Sequence, residues 1–354
     1  MQQIIDGHCI HRDKIVFAGH QTTIRLGTQY DHRLPRADAQ DASACRTLAR
    51  KDTRTAGVQV GCPVVTQKLP VNHDRRSLRF SLRIVITATA KGHVCSRPYR
   101  TKTEPLDTQS GIALVGSIAA SGARRIVFAG GDPSLRRDLA QLAGVAKGWS
   151  LQVEIQTNAH VLIPVLETAL PHADSVGLSL DGPSPEVHDA FRHKPGNFEQ
   201  VMRLLCRLGE IGTPTTVRSV VTRENYRTIT SIEALLRPFP NIRRWSLIQF
   251  TPLGDGLANR KRYELDAVRF EEVAAAVGGL LLDWPILDVF RQGDKIGTYA
   301  LISSDGTLYG VRDSEEGLAH LTAGSMLQHH LSVLAGRLPF MQSNHRKRYN
   351  LDLA

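Results

Sequence analysis

Long apolar runs, paired cysteines and dinucleotide-fold glycines are all missing from this 354-residue sequence. No run of 18 apolar residues occurs, so the sequence predicts no transmembrane helix and no membrane partner. The first residues, MQQIIDGHCIHRDK, lack the basic start and apolar stretch of a signal peptide. The five cysteines (Cys9, Cys45, Cys62, Cys95 and Cys206) are scattered and odd in number. That argues against a secreted disulfide framework and for a reducing, cytoplasmic setting. No GxGxxG follows any candidate strand, which disfavours a nicotinamide dehydrogenase. Aromatics are scarce in the first 105 residues, where only Phe17, Tyr30, Phe80 and Tyr99 occur.

Positive charge is present, and unevenly. Residues 1–105 hold 18 of the 44 Lys and Arg but 8 of the 34 Asp and Glu, a net +10; in residues 106–354 the remaining 26 of each balance. A basic arm for nucleic acid would interleave cations with aromatics on a regular element, and the shortage of aromatics argues against nucleic acid as a partner. Residues 1–80 keep no helical or strand period for more than about two turns. They read as a basic, low-pattern N-terminal extension, disordered or read out of frame.

From residue 81 the texture changes. Apolar runs predict six strands: Leu82 to Ile86, Ile126 to Ala129, Val153 to Ile155, Val176 to Leu180, Thr216 to Val221 and Trp245 to Phe250. Amphipathic helices are predicted between and after them, over 107–121 with Asp107 as N-cap, 134–146, 160–170, 186–209, 229–237 and 267–282. A hairpin turning at Asp305-Gly306 is predicted over 298–310, and a final helix over 324–337. Strands alternating with helices make parallel βαβ units, in an open sheet or a barrel. The chain divides into the extension (1–80), an α/β core (81–265) and a C-terminal extension of helix, hairpin and helix (266–354).

Parallel α/β folds bind ligands where the strands end. The second strand ends in Gly130-Gly131-Asp132-Pro133, where two glycines allow a sharp turn and close approach of a ligand, and Pro133 can open a helix. The third ends in Gln156-Thr157-Asn158, and the fourth in Ser179-Leu180-Asp181-Gly182-Pro183. The fifth ends in Thr222-Arg223-Glu224-Asn225, and the sixth in Thr251-Pro252-Leu253-Gly254-Asp255-Gly256. Five strand ends thus bring small polar residues and glycines to one face. Glu154, Gln156, Arg218 and Gln249 are candidates for the interior, with facing uncertain by one residue.

At these residues the sequence resembles a known family. ARRIVFAGGDPSLRRDL is similar to the second strand and GGEP motif of the radical SAM superfamily, and SVGLSLDGPSPEVHDAFRHKPGNFEQVMRLL to its fourth strand and helix. The likeness runs through VTREN and WSLIQFTPLGDG, and YALISSDGTLYG resembles viperin-like and peptide-maturing members. It covers roughly residues 82–310. The resemblance implies a partial (β/α)6 TIM-type barrel that binds S-adenosylmethionine. It implies that a [4Fe-4S] cluster, held by a CxxxCxxC loop after the first strand, cleaves S-adenosylmethionine to a 5′-deoxyadenosyl radical that takes hydrogen from a substrate. It further implies that Gly130, Gly131, Asp132 and Pro133 meet the methionine amine. Ser179 and Asp181 would lie near the ribose or carboxylate, Arg192 would pair with the carboxylate, and Thr157 and Asn158 would face the same pocket. A small-molecule or peptide substrate is implied, with a reductase if the chain is active.

The cluster loop departs from that pattern. Ala90, Val94 and Arg97 stand where the three cysteines belong, and Cys95, the one thiol nearby, falls one place off. Ala and Val cannot bind iron, and Arg97 would bring a cation to a cationic site. His93 with Cys95, or His8-Cys9-Ile10-His11, does not make a closed metal site. Two accounts stand open. The chain is a cluster-less relative, catalytically inactive and acting as a binding or partner protein, or its first 81 to 105 residues are read out of frame.

Overall fold

The computed structural model describes residues 105–159, 163–281, 286–298, 301–315 and 317–339, with the short strands named below that precede them. The chain divides into two units, Met1–Arg75 and Arg76–Ala354. The first carries β1 (Ile4–Ile5), β2 (His8–His11), β3 (Lys14–Val16) and β4 (Thr23–Arg25), an antiparallel meander in chain order.

The second unit is built on alternating strands and helices. The strands are β5 (Phe80–Val85), β6 (Ala123–Ala129), β7 (Gln152–Thr157), β8 (Ser175–Ser179), β9 (Thr215–Val221), β10 (Ile242–Gln249), β11 (Leu287–Phe290), β12 (Leu301–Ile302), β13 (Thr307–Ser314) and β14 (Gly317–Ser325). They form one sheet in the order β11-β10-β9-β8-β7-β6-β5-β12-β13-β14. Neighbours from β11 to β12 are parallel, and β13 and β14 close the far edge antiparallel. The six predicted strands are β5 to β10, the consecutive parallel centre of a curled half-barrel.

The helices are α1 (Thr108–Ala120), α2 (Leu139–Gly148), α3 (Ile163–Ala169), α4 (Pro185–Arg192), α5 (Asn197–Glu210), α6 (Ile232–Leu236), α7 (Arg260–Tyr263), α8 (Ala267–Leu280) and α9 (Leu331–Ala335). Asp107 caps α1, its carboxylate accepting from Ser110 N at 2.7 Å. Such a cap is worth about 1 kcal/mol. In α5, Phe198, Val201, Met202, Leu205 and Leu208 recur at helical spacing and are all buried. Each such side chain contributes about 1.5–3 kcal/mol on leaving water. Their counterparts on the sheet are Ile126 and Phe128, Val153 and Ile155, Val176 and Leu178, and Val217 and Leu247, all buried.

Two predicted boundaries move. The helix expected over 186–209 is two helices, because His193 (φ 52°) and Gly196 (φ 77°) adopt left-handed backbone between α4 and α5. The helix expected over 324–337 is the end of β14, a turn and the five residues of α9. Gly324, at φ 134°, cannot sit in a helix, and His330 starts α9 by accepting from Ser332 N. The Asp305-Gly306 turn stands as predicted, with Ile302 opposite Leu308 and Gly306 at φ 82°. Among the described residues no helix is long and apolar enough to cross a membrane.

Candidate functional site

The turn after β6 is organised around one carboxylate. Gly130 takes φ 141°, open to glycine and strained for other residues, and lets the chain leave the strand abruptly. Asp132 follows in extended backbone, 1% exposed. Its Oδ1 accepts from Ser134 N (3.0 Å), Ser134 Oγ (2.7 Å) and Thr157 Oγ1 (2.9 Å), and its Oδ2 accepts from Thr157 Oγ1 (2.7 Å) and Asn158 N (2.9 Å). A buried carboxylate is stable when its oxygens are met this way. The effect is to lock the end of β6 to the end of β7. Asn158 adds a second tie, its Nδ2 donating to Gly131 O at 2.8 Å, and Ser179 Oγ at the end of β8 donates to Asn158 Oδ1 at 3.2 Å.

A second buried carboxylate holds the β8 and β9 ends. Asp181 is fully buried. Its Oδ1 accepts from Val220 N at 2.7 Å and its Oδ2 from Arg192 Nε at 2.6 Å, an ion pair beneath α4. Asn225 Nδ2 donates to the carbonyls of Asp181 and Val220 at 2.9 and 2.8 Å. Asp181 N donates to His188 Nδ1 at 3.0 Å, so the imidazole carries its proton on Nε2 and donates to Asn197 Oδ1 at 3.0 Å. Asn197 Nδ2 in turn donates to Asn158 O at 3.0 Å. Burial, against the pull of Asp181, pushes the His188 pKa from 6.5 to about 4. Gly182 is obligatory here, since a Cβ would lie 2.6 Å from Val187 Cγ1 and 2.7 Å from His188 N.

The nine predicted binding residues therefore lie at the ends of β6, β7 and β8 and on α4, and hydrogen bonds link Gly131, Asp132, Thr157, Asn158, Ser179, Asp181 and Arg192 into one rim that reaches β9. Their polar side chains are engaged with the protein itself. The guanidinium of Arg192, expected on a ligand carboxylate, bonds Asp181, and the oxygens of Asp132, expected on a ligand amine, hold the turn. His188, Asn197 and Asn225 were not singled out as site residues. The spacing of His188 and Asn197 to Asp181 (seven and sixteen residues, across two helices) carries no sequence pattern by which to find them.

Below the rim, the concave side of the sheet is polar. Glu154 on β7 bonds Arg125 on β6 and, at 2.7 Å, Arg218 on β9, and accepts from Gln156 Nε2. Arg218 reaches Glu154 across β8 at Gly177, where a Cβ would lie 2.9 Å from Gln156 Cγ and 3.2 Å from both Arg218 Nε and Glu154 Oε1. Glu154, Gln156 and Arg218 thus face the interior as expected. Gln249 does not. It is opposite Val221 in register, on the other face, where its Nε2 donates to Leu265 O. A one-residue ambiguity in strand facing accounts for the reversal.

The residues at the predicted cluster positions, Ala90, Val94 and Arg97, with Cys95, lie outside the described residues, as do the side chains of His8 to His11 and His93. Among the described residues no group of three His, Cys, Asp or Glu could hold a metal ion. Cys206 is the one described cysteine, and burial raises its thiol to about 11, keeping it protonated.

Comparison with known proteins shows what this chain is similar to. Residues 93–236 match the family model of the radical SAM superfamily. Over those residues the chain is similar to the radical SAM superfamily. The AdoMet-dependent heme synthase of Oleidesulfovibrio alaskensis is 32% identical over 177 residues, 48% of this chain and 45% of that protein. Mycofactocin maturase MftC of Mycolicibacterium smegmatis is 30% identical over 146 residues, 40% of this chain and 37% of that protein. The chain thus spans less than half the length of these two relatives. Streptococcus suis SuiB, in its structure with the precursor peptide SuiA, superposes with a TM-score of 0.56 at 14% identity, covering 66% of this chain and 59% of SuiB. SuiB has also been solved with S-adenosylmethionine bound (TM-score 0.53). The fold is the partial TIM-type barrel of the radical SAM kind.

Radical SAM proteins use S-adenosylmethionine and a [4Fe-4S] cluster. The locked glycine turn and polar rim fit the amino-acid end of S-adenosylmethionine. The sequence holds no CxxxCxxC, and the one described thiol, Cys206, is half-buried and protonated, which does not suit a cluster ligand.

Proposed function

We propose that this chain binds S-adenosylmethionine at the rim of the half-barrel, on a scaffold whose family chemistry is its reductive cleavage. The observation that carries the reading is the Gly130–Pro133 turn, held in shape by Asp132 through contacts within the protein. Such a turn needs no reorganisation to receive a ligand, which favours affinity. Because Asp132 is engaged, the ligand ammonium falls to the backbone carbonyls of Gly130 and Gly131; the latter keeps a lone pair beyond the one Asn158 uses. Half-buried Ser179 and Asn158 supply polar contacts to the ribose or carboxylate. Arg192 positions Asp181 and has further N–H groups to offer a carboxylate. The substrate is a peptide or another small molecule lying on the concave face. A peptide is favoured by the mycofactocin maturase and by SuiB with its precursor peptide.

No catalytic step is assigned, since among the described residues none suited to the cluster accompanies this rim. Isothermal titration of S-adenosylmethionine into the full chain, prepared without added iron or sulfide, tests the reading. Saturable heat that is lost in Gly130→Ala, with the melting transition retained, supports it. Absence of saturable heat in the native chain removes the ligand and leaves the fold.

A second reading rests on the boundary near residue 105. There the +10 segment gives way to a balanced one, and the family match starts only at residue 93. In that reading the cluster motif is carried in another frame of the gene, and the protein with the restored frame is a radical enzyme served by a reductase. Translating codons 1–105 in all three frames decides it. CxxxCxxC just upstream of codon 106 supports the enzyme, and its absence leaves the cluster-less protein.

A further inference from the structure

Asn158 is the joint of the rim. Its backbone N–H donates to Asp132 Oδ2, its Nδ2 donates to Gly131 O, and its Oδ1 accepts from Ser179 Oγ. The residue that follows holds a costly conformation. Ala159 takes φ 53°, the left-handed region that residues with a Cβ seldom occupy, and it is buried. Such backbone persists where its surroundings over-determine it. Thr157 and Asn197 supply that constraint. Thr157 Oγ1 accepts from Ala159 N at 3.0 Å, and Asn197 Nδ2 donates to Asn158 O at 3.0 Å and to Ala159 O at 3.4 Å.

The aim of Asn197 is set far from β7. Asn197 is the first residue of α5 and is fully buried. The left-handed turn at His193 and Gly196 brings it back to α4, and Asp189 clamps that turn by accepting from Gly196 N at 2.6 Å and Phe198 N at 2.7 Å. The two ends of an amide are alike in shape, and His188 decides which end points where. Its Nδ1 accepts from Asp181 N, so its Nε2–H meets Asn197 Oδ1 and leaves Nδ2 facing the two carbonyls. One backbone N–H beyond the end of β8 thereby fixes the backbone beyond the end of β7. We propose that His188 and Asn197 are positioning residues, a relay that holds Ala159 left-handed and so keeps Asn158 in place to receive S-adenosylmethionine. Its role in binding rests on the ligand reading above. The brace on Ala159 does not.

The test is a double-mutant cycle on the full chain, with Asn197→Asp, Ala159→Gly and the two together. Asn197→Asp keeps an acceptor for His188 and removes the donor to both carbonyls. Glycine enters left-handed backbone freely, so with Ala159→Gly the brace is needed less. Hydrogen exchange at the Asn158 and Ala159 amides reads the brace without ligand, and calorimetry reads S-adenosylmethionine affinity. Asn197→Asp alone should speed exchange at those two amides about tenfold, with the strand amides of β6 and β8 at native rates, and should weaken S-adenosylmethionine about tenfold. Added to the Ala159→Gly chain, it should change either readout by less than about threefold. A merely structural Asn197 predicts faster exchange across the whole unit and an equal loss with or without Ala159→Gly, and that result overturns the proposal. Native exchange at Asn158 and Ala159 in Asn197→Asp overturns it as well. Should Asn197→Asp fail to melt cooperatively, Asn197→Ser, which removes the amide without adding a charge, replaces it under the same expectations. The exchange pattern in a chain that binds no S-adenosylmethionine upholds the brace and overturns the ligand reading. Saturable S-adenosylmethionine binding that Asn197→Asp leaves unchanged overturns the positioning role and leaves the ligand reading standing.

Discussion

The two faces of the parallel sheet are built from the same strands by opposite rules. On the helix side, Ile126, Ile155, Leu178, Val217 and Leu247 are sealed and apolar. On the concave side of β7 to β10 stand Gln156, Ser179, Arg218 and Arg244, polar and half-buried. A barrel that filled its interior would have an apolar layer there. The difference separates two tasks: the helix face carries the stability, and the concave face with its rim carries the recognition proposed above.

Substitutions on the two faces should break differently. The largest effect belongs to the helix face. Leu178→Ala should cost about 4 kcal/mol of unfolding free energy in urea, by lost transfer and a residual cavity, without weakening ligand affinity in the folded fraction. A cost under about 1 kcal/mol would mean that this face is not the core. The rim comes next. His188 is neutral in the fold with a pKa near 4, against 6.5 for an ordinary histidine. The unfolded chain therefore binds the extra proton between those values. Stability is complete above pH 6.5 and falls as pH drops towards 4, by about 3 kcal/mol in all. The His188→Gln chain should lack that part of the slope when the two pH profiles are compared. Asp132→Asn turns an amide N–H towards donors that now meet a carboxylate, at a cost of about 2 kcal/mol, with ligand affinity falling with it. Ser179→Ala is the smallest in stability, within about 0.5 kcal/mol. If the rim binds the ligand, it should still weaken S-adenosylmethionine several-fold, measured calorimetrically.

Much of this was legible in the residues. The apolar runs around Ile126, Val153, Val176, Val217 and Trp245 announce parallel strands, and Gly130-Gly131-Asp132-Pro133 announces a turn at a strand end. Periodicity says which residues alternate, but not which face is inward at the end of a strand, and Gln249 was misassigned for that reason. β11 was not read as a strand because four residues, Leu287 to Phe290, carry too little period. β14 was partly read as helix because its apolar residues run into those of α9 without a proline between them. The partners of Asp132 and Arg192 depend on where other strands end. Composition shows a carboxylate and a guanidinium, and only the fold shows that each is already engaged.

The most direct test of the account is the calorimetric titration of S-adenosylmethionine into the iron-free full chain, beside Ser179→Ala and Gly130→Ala. Saturable one-site binding, weakened several-fold in the first variant and abolished in the second while both melt cooperatively, is the predicted result. A native chain that takes up no S-adenosylmethionine, or binds it equally well in all three forms, would contradict the assignment of the rim.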